Sequence, residues 1–114
     1  MSKRKEILGD EHVDTIKTLY YLAECFQGKN DLKKAIQLFE IVAAKQKKIL
    51  GENHEETLLS VHAIGFCATK GKEYQKALSI LEELAPIERS VFGEKNYQTR
   101  HTLQMIEYCK EMLE

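Results

Sequence analysis

Apolar residues recur along this chain at intervals of three and four, which is the period of an α-helix with one buried face. The first such stretch predicts a helix from about His12 to Gly28, with an apolar stripe made of Ile16, Leu19, Leu22, Ala23 and Phe26. A turn follows at residues 28–31. The next stretch predicts a longer helix that ends at Leu50, and its stripe is made of Leu32, Ala35, Ile36, Phe39, Val42, Ala43 and Ile49.

This two-helix pattern repeats with a spacing of 42 residues, which Gly9, Gly51 and Gly93 mark. The second unit predicts helices at residues 54–70 and 73–92, and a fifth helix begins near residue 96. Residues 2–8 align with residues 44–50, so we expect them to be the last turns of a preceding second helix. The other residues that keep the spacing include Leu8, Leu50 and Phe92; His12, His54 and Asn96; Thr15, Thr57 and Thr99; and Cys25, Cys67 and Cys109.

The order of small, aliphatic and aromatic residues in each unit resembles the tetratricopeptide repeat (TPR). The matching residues are Leu22, Ala23, Phe26, Leu32, Ala35 and Phe39 in the first unit, and Ile64, Gly65, Tyr74, Ala77 and Leu81 in the second. The usual TPR unit has 34 residues. The 42-residue unit and the Leu-Gly-x-x-His-x-x-Thr linker at residues 8–15 and 50–57 resemble the variety found in kinesin light chains.

This resemblance covers almost the whole chain and implies an all-α fold. Antiparallel helix pairs are expected to stack as a right-handed superhelix of about two and a half repeats, with five helices after an N-terminal stub. The length of 114 residues fits a single TPR domain. Its predicted parts are the stub at residues 2–8, a first repeat at 12–50, a second repeat at 54–92 and a C-terminal capping helix at 96–114.

Two residues refine this interpretation. Ala23 and Gly65 are small where a second helix must approach, but the equivalent residue of the third unit is Glu107, which is costly to bury. This difference favours a solvated capping helix at the end of the array.

Pro86 lies inside the predicted second helix of the second unit, where it removes an amide donor and predicts a bend near residues 84–86.

Charge and composition restrict the partners. Lysine and arginine total 17 and aspartate and glutamate total 18, so a net charge of −1 provides no field that attracts nucleic acid or anionic membranes. No apolar stretch approaches the ~20 residues of a membrane span, and the charged start lacks the features of a secretion signal. Cys25, Cys67 and Cys109 are widely spaced and odd in number, which favours a reducing compartment, and we expect the cytoplasm.

Residues with catalytic or metal-binding chemistry have structural explanations here. His12, His54 and Asn96 stand where an N-cap accepts the free amides of the next helix. The three cysteines are expected to be buried thiols, because zinc sites need closely spaced pairs. No phosphate-binding loop and no nucleophile with a base are recognisable. We therefore expect a non-enzyme with no catalytic residues, no metal site and no cofactor.

A polar and aromatic stripe lies beside the apolar stripe on the first helix of each unit. The first helices of stacked pairs line the concave side, so we predict a peptide-binding groove on this stripe. Tyr20, Phe66 and Tyr108 are its large aromatics, and they serve either ligand contact or packing between helices. The twelve predicted groove residues are Lys17, Tyr20, Glu24, Gln27, Leu59, His62, Phe66, Thr69, His101, Gln104, Tyr108 and Glu111.

The sequence thus predicts a non-catalytic scaffold that binds a protein or peptide ligand, as a peptide or helix in the concave groove. Chaperone adaptors of the TPR family hold a terminal carboxylate with lysine and asparagine, but the matching residues here are Tyr20 and Glu24, so no such clamp is expected. Two alternatives stay open. One is a structural element that forms a homo-oligomer through its N-terminal end. The other is an accessory TPR domain at the C-terminal end of a larger, enzymatic protein.

The absence of a predicted metal site has a direct test. Addition of a chelator should leave the melting temperature unchanged, because neither the linker histidines nor the cysteines form a ligand set. Thermal unfolding followed by circular dichroism with and without EDTA measures this. A chelator-induced fall in melting temperature would contradict the prediction.

Overall fold

The computed structural model describes residues 13–114, which form five α-helices. Short turns connect consecutive helices, and each helix packs antiparallel against the next. In addition, α3 contacts α5. The all-α expectation is confirmed. The predicted stub at residues 2–8 and the predicted cap His12 lie outside the described residues. The helices are α1 (Val13–Gly28), α2 (Leu32–Leu50), α3 (Glu55–Lys70), α4 (Tyr74–Phe92) and α5 (Tyr97–Leu113).

The core runs along the stack and is filled mainly from α2, α3 and α4. Phe39, Leu58 and Leu81 are fully buried within it. Burial of a side chain of this size contributes roughly 1.5–3 kcal/mol each. No helix among residues 13–114 is long and apolar enough to cross a membrane.

Small residues set how closely the helices approach. A Cβ atom on Gly65 would lie 2.5 Å from Cδ2 of Leu81, so any other residue would force this buried leucine of α4 to shift. Ala23, the equivalent residue of α1, is completely buried. Glu107, the equivalent residue of α5, is exposed. The helix contact that requires a small residue in the first two units is therefore solvated in the third.

The linkers between units combine a glycine with a helix cap. Gly51 and Gly93 have φ of 102° and 95°, with ψ of 157° and 158°, so their positive φ is combined with an extended ψ instead of the left-handed helical value. Only glycine adopts this region easily. His54 and Asn96 then cap the next helices by accepting hydrogen bonds from the amides of Glu56 and Gln98, at 3.1 and 2.8 Å.

Pro86 lies on the exposed side of α4, and the helix continues through it from Tyr74 to Phe92. The proline therefore does not end the helix. The bend that its missing amide predicts stays a prediction.

Two residues of α1 are more exposed than predicted. Leu22 was assigned to the apolar stripe and Cys25 to the buried thiols, but Leu22 is 44% exposed and Cys25 is also exposed. Their equivalents in α3, Ile64 and Cys67, are buried because α2 precedes and covers that side of α3. Within residues 13–114 no helix precedes α1, so the corresponding side of α1 has no such cover.

Alanine at Gly51 should destabilise the fold by about 1–3 kcal/mol, because the positive φ strains any residue with a Cβ. Gly28→Ala is the matched control, since Gly28 ends α1 with negative φ and has no neighbour that a Cβ would meet. The control should be neutral or slightly stabilising. Urea unfolding measures both, and equal midpoints for the two variants would contradict the prediction.

Candidate functional site

An open groove, here called the first groove, lies between α1, the end of α2 and the start of α3. It encloses about 390 Å³. Tyr21 and Leu59 stand on its two sides and are 58% and 37% exposed. Its lining residues are Ile16, Lys17, Tyr20, Tyr21, Gln46, Ile49, Leu50, His54, Glu56 and Leu59.

Tyr20 belongs both to this groove and to the core. Its ring is half-buried and meets Phe39 edge to face, with centroids 5.4 Å apart. Burial raises the pKa of the Tyr20 hydroxyl, and the nearby Glu24 and Tyr21 raise it further. Tyr20 therefore both lines the groove and packs between helices, which combines the two alternatives that the sequence left open.

A smaller pocket, here called the second groove, lies between the end of α3, the start of α4 and α5. It encloses about 290 Å³. Tyr108 is 46% exposed there and meets Tyr74 edge to face at 5.8 Å, and their hydrogen bond raises the pKa of Tyr74. The lining residues are Phe66, Thr69, Lys70, Lys72, Tyr74, His101, Met105 and Tyr108.

A histidine pair separates the two grooves. Nε2 of His62 lies 3.0 Å from Nδ1 of His101, which joins α3 to α5. Nδ1 of His62 lies 3.1 Å from Oε2 of Glu88 on α4 and 3.0 Å from Oγ1 of Thr102. His62 is only 8% exposed. The prediction that His62 forms part of the groove surface is therefore wrong, because its ring is satisfied by buried polar partners.

Glu88 was not singled out in the sequence, although it is the most unusual polar residue of the core. It is completely buried, and its Oε1 has no hydrogen-bond partner among the described residues. A signal was present, since Glu88 continues the apolar spacing of Leu81, Leu84 and Ala85 at three and four residues. The equivalent residue of the first unit is Gln46, which is also buried and accepts a hydrogen bond from Ser60 at 2.6 Å.

The predicted stripe is thus distributed over two sites. The first groove takes up Lys17, Tyr20 and Leu59. The second groove takes up Phe66, Thr69, His101 and Tyr108. The predicted residues that line neither groove are Glu24, Gln27, His62, Gln104 and Glu111. The stripe does not include Tyr21, which lies beside it on α1, or Ile49, which the sequence assigns to the apolar stripe of α2.

The two grooves offer mainly apolar and aromatic surface. Residues 13–114 contain no group of three metal-ligating side chains. Burial raises the pKa of the Cys67 thiol to about 11, which suppresses the thiolate that a nucleophile or redox centre needs. Aromatic rings, aliphatic side chains and a few charged groups line both grooves.

No family model and no curated protein matches the chain. Solved structures do match, and two of them are described as kinesin light chain nearly identical TPR-like repeats of Podosopora anserina, one a single-residue variant of the other. The TM-scores are 0.74 and 0.73, with 21% and 20% sequence identity over 95% and 90% of this chain. This likeness confirms the TPR-like repeat fold. The chain spans about half the length of those structures, 51% and 48%.

The three thiols should differ in reactivity. Cys25 is exposed, whereas Cys67 and Cys109 are buried, and a pKa near 11 leaves Cys67 about 0.1% ionised at pH 8. We expect iodoacetamide to modify Cys25 quickly in the folded protein and the other two only after denaturation. Peptide mass spectrometry resolves the sites. Equal rates at all three cysteines would contradict the structure.

Proposed function

We propose that this chain is a non-catalytic protein-interaction module that binds a peptide or helix of another protein across the first helices of its repeats. The observation that carries the proposal is the open, largely apolar first groove with Tyr21 and Leu59 exposed on its two sides. TPR-like repeats generally serve protein interaction, and exposed tyrosines are frequent binding hot spots.

The first groove has the dimensions and chemistry of a peptide site. Its volume of about 390 Å³ lies in the range of ordinary ligand sites. Ile16 is buried at its base, and Ile49 is exposed along one side. Lys17 and Glu56 supply one charge of each sign. A groove of this kind favours apolar side chains held by a few polar contacts over a strongly charged ligand.

The remaining features agree with a module of this type. The near-neutral charge disfavours nucleic acid and anionic lipid, and the three free cysteines fit the cytoplasm as its location. We divide the chain functionally at the units proposed from the repeat, 12–50 and 54–92, with the helix from 96 to 114 as a cap. Glu24, Gln27, Gln104 and Glu111 then form the outer margin of the binding surface, where a longer ligand reaches them.

A second candidate function rests on the uncovered side of α1. Leu22 and Cys25 are exposed there, whereas their equivalents in α3 are buried by α2. A second copy of the chain, or further repeats of a longer protein, would cover this side in the same way. Sedimentation of the wild type beside Leu22→Lys tests self-association. A monomer at all concentrations for both proteins excludes pairing of two copies.

Truncation in the first groove should weaken ligand binding without unfolding the domain. The ligand is a peptide selected from a phage-displayed library on the wild-type protein, and its affinity is measured by calorimetry. The Tyr21→Ala/Leu59→Ala variant should lose about 2 kcal/mol or more, which is roughly thirtyfold in Kd. Because both side chains are substantially exposed, the free energy of unfolding should change by less than ~1 kcal/mol.

Ile41→Ala is the matched control for this experiment. Ile41 is 45% exposed on α2 and lines neither groove, so its truncation removes a similar apolar surface elsewhere. We expect the wild-type Kd for this variant. Equal affinities of the groove variant and the control would contradict the proposed site, and failure to select any peptide would count against the proposed function.

A further inference from the structure

A row of three titratable side chains connects the core to the rim of the second groove. Glu88 on α4 is fully buried, His62 on α3 is nearly so, and His101 on α5 is half-buried at the rim. The carboxylate contacts one imidazole at 3.1 Å, and that imidazole contacts the other at 3.0 Å. Tyr97 stacks on the outer ring, with centroids 5.5 Å apart and an interplanar angle of 17°. One polar row therefore joins three helices.

The hydrogen count of this row limits how many protons it accepts. An ionised Glu88 only accepts hydrogen bonds, so Nδ1 of His62 is the donor to it. Between Nε2 of His62 and Nδ1 of His101 there is room for one hydrogen. With both imidazoles neutral, or with one proton added to the pair, one of these nitrogens donates and the other accepts. A second added proton leaves two donors, each on a positive ring, facing each other at 3.0 Å.

We propose that the Glu88–His62–His101 row is an acid-sensitive latch that keeps α5 docked on α3 and α4 and releases it when both histidines are protonated. Glu88 accommodates one positive charge on the pair. The second charge has no carboxylate partner in the row, and it removes the acceptor of the hydrogen bond that joins α3 to α5. Separation of the two rings relieves both effects, because each imidazolium then becomes hydrated.

The direction of the His101 pKa agrees with this latch. Burial lowers the pKa of His101 below its ordinary value of 6.5, the neighbouring His62 lowers it further, and Glu88 partly opposes both. A histidine released into water therefore binds the proton more readily than the docked one. Docking is favoured above pH 6.5, and it weakens as the pH falls below that value.

Other charged and titratable groups surround the outer histidine. They line the same pocket or stack on the ring, while burial, His62 and Glu88 determine the direction of the His101 pKa. These groups are Lys70 of α3, Lys72 of the following turn, Tyr74 of α4, and Tyr97 and Tyr108 of α5.

The first unit contains the same site without the latch. The residues 42 positions before His62, Glu88, Thr102 and His101 are Tyr20, Gln46, Ser60 and Leu59. None of these four titrates between pH 5 and 8. The equivalent positions thus hold groups that titrate at mildly acidic pH in the second unit and none in the first. This difference confines the expected acid response to α5, whose release breaks up the second groove while the first groove persists.

Hydrogen exchange of the complete chain tests the latch, with α2 as the internal reference. The background is His12→Asn/His54→Asn, since asparagine holds the equivalent cap at residue 96 and does not titrate. Between pH 7.5 and 5.5, the protection of α5 amides, corrected for the intrinsic pH dependence, should fall relative to α2. The fall should reach up to about tenfold per pH unit for each proton taken up on opening.

Two variants and one spectroscopic measurement make the test decisive. His101→Leu introduces the residue of the first unit and should abolish the difference between α5 and α2. Glu88→Gln introduces the other first-unit residue and removes the group that partly offsets the lowering of the His101 pKa, so the loss of protection should still begin near pH 6.5 and should become larger at low pH. In the protein with His62 and His101 intact, the NMR chemical shifts of their imidazole nitrogens should change over the same pH range as the loss of α5 protection.

Three results would overturn the proposal. One is unchanged relative protection of α5 down to pH 5.5. Another is an equal loss of protection in His101→Leu. The third is an exchange transition that the imidazole shifts of His62 and His101 do not follow, and this one is measured without any substitution in the row.

Discussion

Consecutive helices come together where one of them carries alanine or glycine, and the position of every groove depends on this close approach. Gly65 leaves no room for a Cβ against Leu81, and Ala23 is completely buried at the same point of the first unit. The first groove lies between α1, the end of α2 and the start of α3. A larger residue at either position would change the helix spacing and the groove with it.

The 42-residue repeat places different chemistry in one geometry. In the first unit Tyr20 and Leu59 both line the first groove, which encloses about 390 Å³. In the second unit the equivalent residues are His62 and His101, and their hydrogen bond joins α3 to α5. The same two positions of the repeat therefore line an open groove in the first unit and form a hydrogen bond in the second. The unit with the bridge also contains the buried carboxylate.

The buried polar residues explain why the two units differ in their expected response to pH. Gln46 and Ser60 form a neutral hydrogen bond whose donors and acceptors do not change near neutral pH. Glu88 and its two histidines form a row whose hydrogen bonds depend on the number of bound protons. A buried carboxylate with one unpartnered oxygen is costly, and this cost is the physical reason to assign Glu88 a role beyond filling the core.

The sequence by itself determined the helices and their order, because apolar spacing, the repeated glycines and the caps at His54 and Asn96 are local signals. It also indicated which helices carry the candidate site. Only the tertiary structure decided which side chains of those helices meet. Tyr21 and Leu59 stand on two sides of one groove because α1 and α3 stack side by side, whereas His62 turns inward because Glu88 of another helix lies opposite it. Contacts between residues far apart in the chain depend on helix spacing and rotation, which no local pattern encodes.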